Sequence, residues 1–193
     1  GKPVSVHIAE IEQPDVPLWA IWALQQYAKE TSKEECFKKY GQFIKDVINF
    51  IQNNKHPNLK LEENGLLYTD GKDKAVTWMN STANGRPVVP RTGYIVEFNA
   101  LWYNALCFCA SLAGIVGEED SQQKLLAQAE QTKQAFLDTF LNEYGYLYDY
   151  VDGNMMDGSV RPNMIFAVAF DYSPLSPDQK KQVLDVCTRE LLT

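Results

Sequence analysis

The stretch "EFNALWYNALCFCASLAGIV", residues 97–116, carries apolar side chains on every side of a helical wheel. A helix of that kind is buried all round, because no face is polar enough to meet water. It is followed by "SQQKLLAQAEQTKQAFLDTFLNEY" (121–144), in which Leu125, Leu126, Ala129, Phe136, Phe140 and Leu141 recur at three- and four-residue steps with Lys and Gln opposite. That spacing predicts an amphipathic helix lying over the buried one.

The same alternation appears on both sides. "PLWAIWALQQYA" (17–28) and "RPNMIFAVAF" (161–170) are apolar nearly all round and predict burial on all sides, whereas "KEECFKKYGQFIKDVINFIQ" (33–52) and "PDQKKQVLDVCTRELL" (177–192) are amphipathic. Short connections join each buried helix to its amphipathic follower. They carry capping signals: Ser32 with Glu35, Asp120 with Gln123, and Ser176 with Pro177 and Gln179. The return connections are long and share a feature. "NGLLYTDG" (64–71) recurs as "YGYLYDYVDG" (144–153), a β-prone aromatic run ending in Asp and Gly.

Three inner/outer helix pairs with short β-like segments in the long loops predict an all-α fold, an (α/α) toroid, over a single domain 1–193. A right-handed bundle without closure is the alternative, and it leaves the all-round apolarity of each first helix unexplained. In a toroid the long loops emerge at one end, so the starts of the inner helices, with Asp15, Glu97 and Arg161, converge on one mouth.

Composition narrows the ligand. A formal charge of −7 supplies no basic stripe, which argues against nucleic acid and anionic membrane partners. The run "ALCFCASLAGIV" (105–116) is too short and too marked by Ser and Gly for a membrane span. Cys36, Cys107, Cys109 and Cys187 lack framework spacing, and with His7 and His56 as the histidines no metal site is expected. Buried free thiols and the lack of a visible signal peptide fit a cytoplasmic location. The apolar-periodic run at the C-terminal end has no stop signal, which reads as part of a longer protein.

Polar groups at the expected mouth each carry a plain structural reading beside a functional one. Asp15 before Val16-Pro17 is an ordinary N-cap, Asp157-Gly158 is a turn signal, and Arg161-Pro162 punctuates a helix start. Glu97 sits among Val96, Phe98, Ala100 and Leu101, so its carboxylate needs partners, and Arg86 and Arg91 are the nearest cations. Trp78 in the preceding loop offers a flat face of the kind that suits a pyranose ring, while carboxylates and amides suit vicinal hydroxyls.

The string "TWMNSTANGRPVVPRTGYIVEFNALWYNAL" (77–106), with "DVPLWAIWAL" (15–24), "GYLYDYVDG" (145–153) and "DGSVRPNMIFAVAF" (157–170) in the same order, resembles the C-terminal amylo-α-1,6-glucosidase domain of glycogen debranching enzymes. The resemblance covers essentially the whole chain. It implies an (α/α)6 toroid, of which this chain is roughly the middle half, and inverting hydrolysis of the α-1,6-linked glucose at a branch stub, with no cofactor and a glycogen-like α-glucan as partner. The polar groups of the three pre-helical segments make Asp15, Trp78, Arg86, Arg91, Asp157, Arg161 and Asn163 the expected substrate-binding residues.

Inverting hydrolysis needs two carboxyl groups, roughly 6.5–9.5 Å apart. Family members commonly read "TWMD" where this chain reads "TWMN", and an amide at Asn80 cannot deliver a proton. Glu97 therefore becomes the candidate acid or substrate clamp, and the base is expected beyond Thr193. Three readings follow: an active debranching glucosidase drawing its acid from Glu97, Asp157 or another loop residue; a glycan-binding relative without hydrolysis; and a structural or interaction scaffold. The isolated piece is expected to be inactive and, with inner-helix surface open, to self-associate.

Overall fold

The computed structural model describes residues 13–192. The expectations for His7 and for the two chain ends lie outside these residues. Among the described residues six α-helices carry the fold: α1 Val16–Glu30, α2 Lys33–Gln52, α3 Val96–Ile115, α4 Glu119–Phe140, α5 Ile165–Ala169 and α6 Pro177–Leu191. Connections of a few residues make α1–α2, α3–α4 and α5–α6 consecutive packed pairs.

The centre is α3. Phe98, Leu101, Trp102, Leu106 and Phe108 are all buried on it, around its circumference. By length and composition alone α3 is apolar enough to span a bilayer, contrary to the shorter run read from the sequence. Yet 72% of its window is buried inside the protein, and it serves as the core helix. Its polar residues dock neighbours instead of facing water. Asn99 acts as a strand edge, accepting from Leu67 N at 2.7 Å and donating to Leu67 O at 3.1 Å. Asn104 exchanges amide hydrogen bonds with Gln25 of α1, at 2.6 and 3.3 Å, and accepts from Tyr172 N after α5.

The first helices of the three pairs run parallel. Trp19 of α1 packs edge-on against Phe166 of α5, and six residues later Gln25 donates to Asp171 just past α5. Contacts six residues apart along α1 and five residues apart along α5 and its exit, in the same order, require the same direction. The start of α3 meets the start of α5 through side chains, and Asn104 meets Tyr172 farther along. The beginnings of α1, α3 and α5 therefore share one end of the molecule.

At that end the long loops weave an antiparallel sheet, ordered β1 (Lys60–Leu61), β2 (Leu67–Thr69), β5 (Gly93–Ile95), β6 (Tyr150–Asp152) and β7 (Met155–Met156). The two repeated aromatic runs become β2 and β6, flanking β5 on either side. The strand β5 runs straight into α3. Gly93 within it has φ +89°, and a Cβ there would stand 2.2 Å from Val151 O, so only glycine lets β5 and β6 pair this closely. A separate two-stranded hairpin, β3 (Thr82–Ala83) and β4 (Arg86–Pro87), turns at Asn84-Gly85, both with positive φ.

Several sequence expectations are corrected. Burial on all sides holds for α3 but not for α1 or α5; on α1 only Leu18, Ile21, Gln25 and Ala28 are buried. The third inner segment is a 3-10 turn (Pro162–Met164) followed by five α-helical residues, not one long helix. On α4, Leu126 is exposed and Thr132 fills the inner stripe, donating to Gly65 O at 2.9 Å. Ser32 and Ser176 cap as expected, Ser176 in a full capping box. Asp120 does not, because α4 starts earlier with Glu118 at the N-cap. Asp15 occupies an N-cap position, but its carboxylate caps nothing.

Candidate active site

The site begins with Arg91. Its backbone is seated by Gly71, where a Cβ would collide with Arg91 O at 1.9 Å, so the glycine closing the "YTDG" run is a packing requirement. The side chain is 1% exposed. Its two terminal nitrogens grip both oxygens of Glu97, one pair at 2.6 Å. Its Nε donates to Asp149 Oδ2 at 2.7 Å, and one terminal nitrogen also reaches Asp149 Oδ1 at 3.0 Å. One planar fork thus serves two buried carboxylates, a geometry that lysine has no means of copying.

Asp149 extends the network. Its Oδ2 accepts from Arg161 at 2.7 Å and its Oδ1 from Asn163 Nδ2 at 2.7 Å. Arg161 also donates to Asp157 Oδ2 at 2.7 Å. Asn163 accepts the Trp78 indole N–H on Oδ1 at 2.8 Å and donates to Met79 Sδ at 3.4 Å. Five ionic side chains, two cations against three carboxylates, are so joined, with one negative charge in excess. The Trp78 ring stays 55% exposed while its N–H is pinned, which fixes an open aromatic face beside the cluster.

Electrostatics separate the carboxyls. Burial pushes the Glu97 carboxyl up, opposed by the Arg91 fork that favours its charged form. For Asp157 burial also acts upward, but hydrogen bonds from Ser159 and Arg161 outweigh it and hold the carboxyl below its usual range. Asp15 differs from both. It is 7% exposed and receives one neutral hydrogen bond, from the Trp19 indole at 2.9 Å. Burial raises its pKa, and among the described residues no cation pairs with it.

Of the residues singled out in sequence, Trp78, Arg91, Glu97, Asp157, Arg161 and Asn163 come together in this one network. Asp15 lies outside it, at the start of α1 on the same end of the molecule. Asn80 is exposed in the loop before β3. Arg86 sits on the exposed hairpin, so Glu97 is held by Arg91 and not by Arg86. The Asn84-Gly85 turn is what carries Arg86 away. Asp149 was not singled out, although it is the hub. Its signal lay in the alternation of 146–152: Leu147, Asp149 and Val151 fall in the buried phase, and a carboxylate there demands a cation.

No group of three or more His, Cys, Asp or Glu suited to a metal occurs among the described residues, and their four cysteines are free. The family model described as amylo-alpha-1,6-glucosidase matches residues 8–193. Among curated proteins, none matches the chain.

Proposed function

We propose, on the premise that this chain belongs to the amylo-alpha-1,6-glucosidase family, that its cluster is one wall of a glycoside hydrolase site for α-1,6-linked glucose on a branched α-glucan. The observation that carries the proposal is the network joining Trp78, Asn163, Asp149, Arg91 and Glu97, which orients an exposed aromatic face beside the partly exposed charges of Asp157 and Arg161. The three helix pairs are read as an arc of an (α/α) toroid, supported by parallel inner helices that start at the same end.

Within this reading the roles divide by environment. Glu97 has both oxygens engaged by Arg91 and is 1% exposed, so it serves as a clamp that holds the loop before α3 and not as a proton donor. Asp157 stays ionised and accepts hydrogen bonds from sugar hydroxyls. The departing glycosidic oxygen needs a carboxyl that retains its proton toward neutral pH. At Asp15 burial favours the protonated form and outweighs the Trp19 indole hydrogen bond, which opposes it, and among the described residues no cation pairs with it. Asn80 stands where relatives commonly carry an acid, and it plays no part in proton transfer.

Asn80 also favours a second reading, glycan binding without hydrolysis. Glucose release from α-1,6-branched limit dextrin separates the two. Under the first reading the protein carrying this chain releases free glucose, and Asn80→Asp changes the rate little. An inactive wild type that gains hydrolysis on Asn80→Asp would establish the second.

A further inference from the structure

Beyond the cluster, a groove of about 470 Å³ opens between the turn 141–145 and α6. Tyr144 stands in it 73% exposed, so most of its ring is open to an occupant of the groove. Its ring stacks on that of Tyr146, with centroids 6.4 Å apart and planes 25° from parallel. Asn142 lines the same groove. It is 7% exposed, its Oδ1 accepts from Tyr144 N and Tyr146 N, and its buried Nδ2 has no partner among the described residues. Across the groove Gln182, Asp185 and Arg189 of α6 supply further amide, carboxylate and guanidinium groups.

The aromatics continue toward the cluster. Along 146–152 burial alternates, and Tyr146, Tyr148 and Tyr150 share the half-exposed phase while Leu147, Asp149 and Val151 point inward. Tyr146 Oη donates to Gly158 O at 2.9 Å, one residue from Asp157. A Cβ on Gly158 would stand 3.6 Å from Tyr146 Oη and 3.9 Å from Tyr148 Cε1, so the loop carrying Asp157 and Arg161 rests on these rings. The run "YGYLYDY" therefore presents Asp149 to the cluster from one face and a row of tyrosines from the other.

We infer that this tyrosine row is an accessory glucan surface, with Tyr144 at its outer end holding sugars several units away from the α-1,6 linkage. It rests on the function proposed above and names where the main chain of the branched substrate lies. Stacked rings match the CH-rich faces of successive sugars, and the amides and carboxylates alongside match their hydroxyls. The groove's acidic side chains, Glu143 and Asp185, disfavour an anionic occupant.

The test is calorimetric titration of the chain with two probes, isomaltose and a maltoheptaose bearing one α-1,6-glucosyl branch. Tyr144→Ala is expected to weaken the branched heptaose about two- to tenfold. Isomaltose binding should stay unchanged, and Tyr144→Phe should retain wild-type affinity for both. Wild-type binding of the branched heptaose that Tyr144→Ala leaves intact overturns the accessory surface alone. A wild type that binds neither sugar overturns the functional reading beneath it as well.

Discussion

Arg91 holds Glu97 by both terminal nitrogens of its guanidinium and turns its Nε to Asp149 at 2.7 Å. The first pair is six residues apart in sequence, the second fifty-eight. A local loop contact and a long-range one thus share a single planar group. Through it the start of α3 is fastened to the "YLYDY" run, and through Asp149 to Arg161 and Asn163 ahead of α5.

Truncating that group is expected to be costly. Arg91→Met leaves Glu97 and Asp149 buried without their cation, and removing one partner of a buried ion pair costs about 3–5 kcal/mol. Arg91→Lys keeps the charge but lacks the fork, so it should recover only part of the loss. Urea unfolding midpoints of the three proteins check this. Equal midpoints for wild type and Arg91→Lys would show that the fork geometry is unimportant.

Much of the architecture was readable before any coordinates. The alternation of buried and amphipathic helices located all three pairs, because an all-round apolar segment such as 97–116 leaves few alternatives to a core position. The repeated aromatic runs foretold strands. What pattern reading missed depended on contacts at long range. The burial of α1 and α5 on one face only is set by what packs against them, which periodicity does not encode. Arg86 and Arg91 looked equivalent as partners of Glu97 until the Asn84-Gly85 turn took one of them out on a hairpin. Asp149 looked like a strand residue because its partner Arg91 is fifty-eight residues away.

Asp15 should show opposite effects on stability and on activity. Its folded pKa is raised by burial, so its neutral form is favoured in the native state. That contribution is full below the unfolded value of 3.8 and is lost as pH rises through the folded value. Above the folded value the buried charge is a liability, and there Asp15→Asn is expected to unfold at a higher urea concentration than wild type. The gain should vanish at pH values below 3.8. A variant less stable than wild type above the folded value would contradict this assignment.

Asp157 should behave in the reverse sense. Its folded pKa is depressed, so its stabilising effect is present above the unfolded value of 3.8 and is lost as pH falls through the folded value. Wild type should therefore lose stability relative to Asp157→Asn as the pH drops below 3.8. Acid titrations followed by circular dichroism on both proteins compare the two slopes, and parallel curves would remove Asp157 from the ionic network.

Asn163→Leu breaks the link from Trp78 to Asp149. It deletes an acceptor for the indole N–H and a donor to a buried carboxylate, at a cost of about 1–3 kcal/mol. The more telling readout is Trp78 itself. Released from Asn163, the indole should gain mobility, seen as lower fluorescence anisotropy relative to a Trp78→Phe background. Unchanged anisotropy would mean that packing alone orients the ring.

The central claim is that a proton passes from Asp15 to the departing glycosidic oxygen at this mouth. The direct measurement compares Asp15→Asn with wild type, in the protein carrying this chain, on two substrates. Branched limit dextrin needs protonation of its leaving group; α-glucosyl fluoride does not. The account predicts a loss of about 10²- to 10⁴-fold on limit dextrin and little loss on the fluoride. Equal losses on both, or wild-type rates on limit dextrin, would contradict it.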